Sequence, residues 1–263
     1  MPELAHLTWL EAQEALADAR LALVPIGSCE QHGPHLTLDT DTAIAHGFSR
    51  RLADDLGDRA VLCPPLGYGL SEHHLGFPGT ITLRPSTLLG FLSDLVESLA
   101  HWGLRRLLVV NGHGGNIDGI RLAARAARRD HGALLAGLMW AQLAADAIAE
   151  RVTSERYGHA CEIETSVAMV LAPASLHAER ISAPRSKPSS SPLTDPPGAR
   201  VDRATWFEEW TEDGALGDPR LASHELGEAV VEVAYTRALR FAEDFAEEPP
   251  PEKGARGWKL PNR

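Results

Sequence analysis

The chain lacks several features that would place it in a common class of protein. Its 263 residues include only three cysteines, and no two of them have a CxxC or zinc-finger spacing, so we expect no disulfide framework. No apolar run reaches the roughly 18 residues that a membrane-spanning helix needs. Residues 1–20 have no basic segment followed by an apolar block, as a secretory signal would. These absences predict a cytoplasmic protein with no membrane partner.

Positive charge is also scarce. The chain has 25 Lys and Arg against 36 Asp and Glu, a formal net charge of −11. A nucleic-acid-binding surface needs a basic patch or stripe, so we expect no nucleic-acid partner. Hydrophobic residues make up 44% of the chain and charged residues 23%, as in ordinary soluble proteins. The length suits one large domain.

Short apolar runs alternate with helical patterns along the chain. Residues 21–26, 61–63, 107–110 and 133–140 read as buried strands, as expected for a parallel sheet. Apolar spacings of three and four predict helices over 8–22, 41–56, 117–129, 162–171 and 224–245, and one from a Ser86 cap to Gly103. The pattern predicts an α/β fold, a single domain with a mostly parallel sheet and helices on both faces. We expect this domain over 1–246 and a Pro-rich, poorly ordered tail over 247–263.

Two of the predicted strands are followed directly by side chains that can bind metal. Glu30, His32 and Asp41 follow the first strand, and His113 lies in the turn Asn-Gly-His-Gly-Gly-Asn after the strand 107–110. Ligands of open α/β sheets bind beyond the carboxyl ends of the strands, so we expect these residues to share one site. Carboxylates and imidazoles with no thiolate suit zinc, manganese or iron.

The glycine-rich turn around His113 has a second interpretation, as a phosphate-binding loop. It lacks the lysine of a P-loop and contains no GxGxxG pattern, so the metal site is the favoured interpretation. A carboxylate such as that of Asp41 could bridge two ions about 3.5–4 Å apart, and such ions lower the pKa of bound water from about 15.7 to about 7. Because the ions can also polarise a carbonyl group, the pattern predicts amide hydrolysis.

Several segments resemble motifs of the creatininase (creatinine amidohydrolase) family and follow one another in the same order along the chain. They are Glu30-Gln31-His32-Gly33-Pro34-His35 with Asp41, Phe77-Pro78-Gly79-Thr80, the turn 111–116, His159 with Glu164-Thr165-Ser166, and 214–219. The resemblance runs from about residue 21 to about residue 227. It implies an α/β amidohydrolase that holds two divalent metal ions and forms a homo-oligomer, commonly a hexamer.

The resemblance also implies how the ions would be held. Glu30, Asp41 and His113 would bind one ion. His32 and Asp41 would bind the second ion, so that Asp41 bridges the two.

One ligand of the second ion departs from the family pattern. In creatininase a glutamate in the turn completes this site, but the matching residue here is Gly115. We expect Glu164 to replace it, because Glu164 fits the family's His-x4-Glu-Thr-Ser pattern, with Glu162 as the alternative. His159 matches the catalytic histidine, which moves a proton between water and the leaving nitrogen.

Substrate contacts are implied for Ser71, Trp140 and Gly114. Trp140 matches an aromatic residue of the creatininase pocket, although a buried tryptophan at a strand end is an equally good interpretation. The family's Trp-Asp pair before the catalytic histidine appears here as Glu155-Arg156 or is shifted to Tyr157, which argues against strict creatinine specificity. Residues 72–74, Glu-His-His, either contact substrate or form a surface pair of histidines.

The predicted function is a binuclear metal-dependent amidohydrolase that cleaves a C–N amide bond of a small molecule by metal-bound hydroxide. Creatinine-like lactams are the first candidate substrates. A peptidase of the mycofactocin-precursor type, in the same family, is one alternative, and deformylation of a pyrimidine-type intermediate is another. A metal-binding protein with a site made degenerate by Gly115 is the alternative from a different class.

Overall fold

A four-stranded parallel sheet forms the centre of the described protein. The computed structural model describes residues 3–191, 193–195 and 200–251. The strands are β1 (Leu21–Ile26), β2 (Ala60–Leu62), β3 (Arg106–Asn111) and β4 (Leu134–Met139), in the order β2-β1-β3-β4. Every neighbouring pair is parallel, so the predicted sheet is confirmed.

Helices precede, connect and cover these strands. They are α1 (Trp9–Asp18), α2 (Thr40–Leu56), α3 (Pro85–His101), α4 (Ile117–Ala126), α5 (Trp140–Leu143), α6 (Ala145–Ala149), α7 (Glu162–Leu171), α8 (Phe207–Trp210) and α9 (His224–Glu247). Within the described ranges, none of the helices combines the length and the apolar character that a membrane crossing demands.

The side chains of β1 alternate between two hydrophobic cores, because successive residues of a strand point to opposite faces. Leu21 and Leu23 pack in the core that contains residues of α2, α7 and α9. Ala22, Val24 and Ile26 pack in the core formed with α3 and α4. The prediction of helices on both faces is therefore confirmed.

The topology creates a crevice between β1 and β3. The chain leaves β1 through α2 and returns to β2 on one side, and it leaves β3 through α4 and returns to β4 on the other. Connections that leave adjacent strands in opposite directions open a crevice at the carboxyl ends of those strands, where α/β proteins bind ligands. The loops that contain Glu30 and His113 begin at these two strand ends.

Several predicted boundaries are shifted by a few residues, and two of the shifts have a clear physical cause. The first helix ends at Asp18 rather than at 22, because Leu21 and Ala22 already pair with β2 in the sheet. Helix α3 has Arg84 at its N-cap and Pro85 as its first residue, so Ser86 is not the cap. Proline suits the first helical position because the N–H it lacks would have no partner there.

The predicted tail overlaps the end of the last helix. Glu247 is still helical and pairs with Arg20 at 2.6 Å. Residues 252–263, on which most of the tail prediction falls, lie outside the described residues.

Candidate metal centre

Four buried side chains meet in the crevice beyond β1 and β3. Glu30 and His32 lie in the loop after β1, Asp41 lies in the first turn of α2, and His113 follows β3. Their exposed fractions are 1%, 0%, 2% and 4%. Buried charges are stable only when they are paired or bind a metal. These side chains must therefore either pair with one another or bind a shared metal ion.

A glycine allows α2 and the His113 turn to approach closely. A Cβ atom at Gly112 would lie 2.1 Å from the carbonyl oxygen of Asp41, which no side chain can tolerate. Two asparagines hold the turn in place. Asn111 Nδ2 donates to the His113 carbonyl at 2.6 Å, and Asn116 Nδ2 donates to the Gly27 carbonyl after β1 at 3.0 Å.

Glu30, Asp41 and His113 form the first cluster. His113 Nδ1 lies 3.2 Å from Glu30 Oε2 and 3.1 Å from Asp41 Oδ2. The other ring nitrogen, Nε2, lies 3.0 Å from the Leu70 carbonyl oxygen and donates its proton there. In the neutral ring Nδ1 is therefore an unprotonated acceptor that faces two carboxylate oxygens. Three acceptors that face one another require either a proton or a metal cation between them.

His32, Asp41 and Glu164 form the second cluster. His32 Nε2 lies 3.1 Å from Asp41 Oδ1 and 4.0 Å from Glu164 Oε1. His32 Nδ1 lies 3.1 Å from the Glu30 carbonyl oxygen and donates to it, which leaves Nε2 as the acceptor. Asp41 thus turns one carboxylate oxygen toward each cluster.

The donor set fits divalent metal. The Oε2 atom of Glu30 and the Oδ2 atom of Asp41 are buried without a hydrogen-bond partner in the described part of the chain. Potential ligand atoms lie within 4.8 Å of one another in three sets, Glu30-His32-His159, Glu30-Asp41-His113 and His32-Asp41-Glu164. The outer hydrogen bonds of the two ring nitrogens fix the imidazoles as metal ligands are fixed in known sites.

The electrostatics of the clusters favour a bound positive charge. Burial opposes protonation of His32, but Asp41 and Glu164 outweigh it and raise the pKa of His32 to about 10. Burial likewise opposes protonation of His113, yet Glu30 and Asp41 raise its pKa well above the usual value. Burial alone would raise the pKa of Asp41, but the two histidines hold it well below its usual range. A metal ion at this position displaces protons.

The two glutamates of α7 have different surroundings. Burial raises the pKa of Glu164 to about 7, and its carboxylate faces His32. The Glu162 carboxylate accepts from the backbone N–H groups of Thr153 and Ser154 at 3.2 and 2.9 Å and from the Ser154 hydroxyl at 2.9 Å. Glu162, the alternative ligand suggested by the sequence, is also buried, at 1% exposed. Its acceptor positions already bind the 153–154 segment.

The structure leaves no space for a side chain at Gly115. A Cβ atom there would lie 2.2 Å from the Leu70 carbonyl oxygen, 2.4 Å from His113 Nε2 and 3.0 Å from His73 Cε1. A glutamate cannot enter this turn without moving it. Among the described residues, the carboxylate beside His32 and Asp41 comes instead from α7.

His159 borders both clusters. Its Nδ1 atom lies 3.8 Å from Glu30 Oε1 and 3.9 Å from Glu164 Oε2. Its Nε2 atom lies 2.6 Å from the Gln31 carbonyl oxygen and donates to it. Burial and the positive charge of His32 lower the pKa of His159 to about 3. The Nδ1 lone pair of a neutral ring therefore faces the site.

The predicted substrate residues lie in different environments. Ser71 is fully buried behind His113, with its hydroxyl 3.2 Å from His113 Nε2, so a contact with substrate stays a prediction. Gly114 is exposed, and no atom of the described residues lies within 4 Å of an added Cβ. Trp140 is 5% exposed, and its indole N–H has no partner among the described residues. Together with Tyr157 and Glu164 it lines a cavity of about 150 Å³.

The sequence interpretation left His74 open and missed Phe207. His74 is 1% exposed, so it does not belong to a surface pair. Its ring stacks on Phe207 at 3.9 Å between centroids, and Phe207 also contacts the His159 ring at 4.7 Å. The loop position of His74 beside Ser71 was a usable signal. Phe207 lies in α8, far along the chain, and no motif marks it.

Comparisons with known proteins agree on one family. A sequence profile for creatininase, described as creatinine amidohydrolase, matches residues 5–242. The chain is 34% identical over 217 residues to the mycofactocin precursor peptide peptidase of Mycolicibacterium smegmatis, covering 80% of this chain and 79% of that protein. It is 31% identical over 268 residues to the creatinine amidohydrolase of Pseudomonas putida, covering 94% and 96%.

Solved structures give the same result. A manganese form of creatininase superimposes with a TM-score of 0.75 at 27% identity, over 93% of this chain and 98% of that chain. A zinc–zinc form of a creatininase mutant gives a TM-score of 0.76 at 27% identity, over 94% and 100%. The chain belongs to the creatininase family and is a metal-binding hydrolase of amide C–N bonds.

Proposed function

We propose that the protein is a binuclear amidohydrolase. One observation carries this proposal: Asp41 presents Oδ2 to His113 Nδ1 and Oδ1 to His32 Nε2, each at 3.1 Å. One divalent ion would be held by Glu30, Asp41 and His113, and a second by His32, Asp41 and Glu164. Zinc, manganese and iron all suit this set of ligands.

The chemistry divides between the ions and the protein. When bound, the ions would supply a water nucleophile that ionises near neutral pH and would polarise the scissile carbonyl. His159 moves the proton. Because its Nε2–H is bound to the Gln31 carbonyl, the same atom, Nδ1, takes the proton from water and returns it to the leaving nitrogen. Glu30 and Glu164 lie close enough to stabilise the imidazolium that forms in between.

Creatinine-like lactams are the first candidate substrates. The related enzyme from Pseudomonas putida is a creatinine amidohydrolase, and the buried clusters suit a small amide. Glu155-Arg156 in place of the family's Trp-Asp pair argues for a lactam other than creatinine itself.

A peptide substrate of the mycofactocin-precursor type is the second candidate. The peptidase from Mycolicibacterium smegmatis is similar over most of the chain. The cavity beside Glu164 also favours it, because Trp140, Ile148 and Tyr157 line that cavity. This mainly apolar space suits a side chain next to the scissile bond better than a polar lactam.

Hydrolysis assays on metal-loaded protein test both candidates. We expect a metal-dependent reaction with either cyclic amides, including creatinine, or linear peptides. His159→Ala should keep both ions and lose about 10²–10⁴-fold in rate, the usual contribution of a general acid–base group. A native protein that binds at most one ion and hydrolyses neither class would support a metal-binding protein with a degenerate site instead. Full activity in His159→Ala would contradict the role of His159.

A further inference from the structure

His74 lies against the first cluster but is not one of its proposed ligands. It belongs to the short helical turn Glu72–His74 in the loop between β2 and α3. Its side chain is buried, and its Nε2 atom lies 3.3 Å from Glu30 Oε1. The oxygen on the other side of the same carboxylate, Oε2, faces His113 Nδ1 at 3.2 Å.

The hydrogen bonds of Gln31 determine which nitrogen of His74 carries the proton. Gln31 Oε1 accepts from the Gly33 backbone N–H at 2.9 Å, and Gln31 Nε2 donates to the Gly214 carbonyl oxygen at 3.2 Å. These two contacts fix the orientation of the amide. Gln31 Nε2 must therefore also be the donor to His74 Nδ1, at 2.9 Å. The proton of the neutral His74 ring is consequently on Nε2, which faces Glu30.

We propose that His74 is a positioning residue that donates a hydrogen bond to Glu30 Oε1 and thereby holds Oε2 toward the first metal ion. The inference rests on the proposed function, because it assumes that Glu30 is a ligand. A protonated Nε2 excludes His74 as a ligand through that atom. Partners that orient ligands in this way contribute about 10–100-fold to metal affinity in known sites.

The surroundings of His74 keep this arrangement in place. Its ring stacks on Phe207 and lies 4.5 Å from the His159 ring. Gly214 has φ +90, and a Cβ atom there would lie only 1.8 Å from Gln31 Oε1. The amide of Gln31 therefore occupies a space that only glycine leaves open.

Two substitutions distinguish positioning from a purely structural role, in which the ring of His74 only fills the space beside Phe207. His74→Phe keeps an aromatic ring but removes the N–H group. His74→Gln gives up the ring but supplies an N–H group at a similar reach. His73→Phe is the matched control, because His73 stacks on His113 at 5.5 Å and has no carboxylate partner within ion-pair distance among the described residues.

The measurement is a titration of metal-free protein with Co²⁺, in which binding is monitored by calorimetry and by the visible absorption of the bound ion. The native protein should bind two ions. His74→Phe should bind one of them about 10–100-fold more weakly and leave the other unchanged. His74→Gln should recover most of the loss, and His73→Phe should match the native protein.

The outcomes separate this inference from the proposed function. Fewer than two ions in the native protein would contradict the binuclear site itself. Two ions in the native protein with unchanged affinities in His74→Phe would overturn the role of His74. A loss confined to His74→Gln would assign the effect to ring packing and would also overturn it. Equal losses in both variants would show that an N–H group at this position does not restore the site, and they would count against the inference as well. If His74→Phe does not fold, Gln31→Met is measured in its place. This substitution keeps the His74 ring but removes the amide donor that fixes the proton on His74 Nε2. Unchanged metal affinity in Gln31→Met would then count against the inference.

Discussion

At the residue scale, the outer contacts of the proposed ligands determine which of their nitrogen atoms faces the site as an acceptor. His32 and His113 each donate from the nitrogen that faces away from the site. Within the described part of the chain, the carboxylates of Glu30 and Asp41 retain buried oxygens without hydrogen bonds. A cluster of acceptors of this kind is incomplete without a bound proton or metal cation.

His113→Ala should remove one ion and nearly all activity. The change deletes the only nitrogen that faces both Glu30 Oε2 and Asp41 Oδ2 among the described residues. Metal content per chain and hydrolysis rate are measured on the same preparation. Retained turnover with two bound ions would rule out His113 as a ligand.

Glu164→Gln and Glu162→Gln should affect different properties, the first metal binding and the second thermal stability. Glu164→Gln should weaken the second ion, because the carboxylate beside His32 is lost. Glu162→Gln should keep both ions but lower the melting temperature, because its carboxylate accepts three hydrogen bonds from Thr153 and Ser154. Metal content and thermal unfolding decide between the two residues, and the reverse pattern would make Glu162 the ligand.

His35 should make folding stability sensitive to acid. It is fully buried, its Nε2 atom lies 2.8 Å from Thr165 Oγ1, and its Nδ1 atom has no partner in the described chain. Burial and the nearby charge of His32 lower its pKa from 6.5 to about 4. Because the folded-state pKa is below the unfolded value, the unfolded chain binds more protons between pH 6.5 and 4, and stability falls as the pH drops through this range.

Urea unfolding at pH 7 and at pH 4.5 measures this effect. The native protein should lose more of its unfolding free energy between the two values than His35→Gln loses. Both proteins share all other titrating groups, so the difference isolates His35. An equal loss in both would show that His35 does not titrate in this range.

The sequence predicts the proposed ligands better than the groups that support them. Glu30, His32, Asp41 and His113 follow strand ends and form recognisable motifs, because a metal needs particular atoms at fixed positions. The role of His74 depends on the orientation of the Gln31 amide, which only three-dimensional contacts reveal. Ser71 shows the same limit, since its contact with His113 depends on how the loop folds beneath the turn.

At the element scale, the site depends on how closely α2 approaches the turn after β3. Short apolar runs and helical periodicity predicted most elements, because their apolar residues face two cores. Boundaries were less predictable, as for α1, where pairing of β1 in the sheet ends the helical pattern early. Helix α8 has only four residues, too few for a periodic signal, although its Phe207 packs on the site.

Gly112→Ala should separate these elements. The added methyl group would overlap the Asp41 carbonyl at 2.1 Å, and overpacking of this kind costs about 1–3 kcal/mol. Because His113 and Asp41 would move apart, metal affinity should fall together with stability. Gly114→Ala is the matched control for stability and metal content, since an added Cβ there meets no atom of the residues that the structure describes within 4 Å. Native metal affinity in Gly112→Ala would show that this close approach does not set the site.

At the scale of the whole molecule, exposed aromatic side chains bear on assembly. Trp9, Phe91 and Trp102 are 74%, 40% and 65% exposed, and the last two border an apolar groove with Leu4 and Leu95. The family resemblance predicts a homo-oligomer, commonly a hexamer. Light scattering after size-exclusion chromatography should give a mass several times the 28.4 kDa of one chain. A mass of one chain at micromolar concentration would contradict this prediction.

The most direct test of the central claim is the metal content per chain, measured by inductively coupled plasma mass spectrometry on untagged protein purified without chelators. We predict about two divalent transition-metal ions per chain. These ions should be retained on dialysis, and after removal by a chelator the same number should be restored by adding Zn²⁺ or Mn²⁺. One ion or none, even after reloading, would contradict the binuclear site. That result would show that Glu164 does not replace the ligand missing at Gly115.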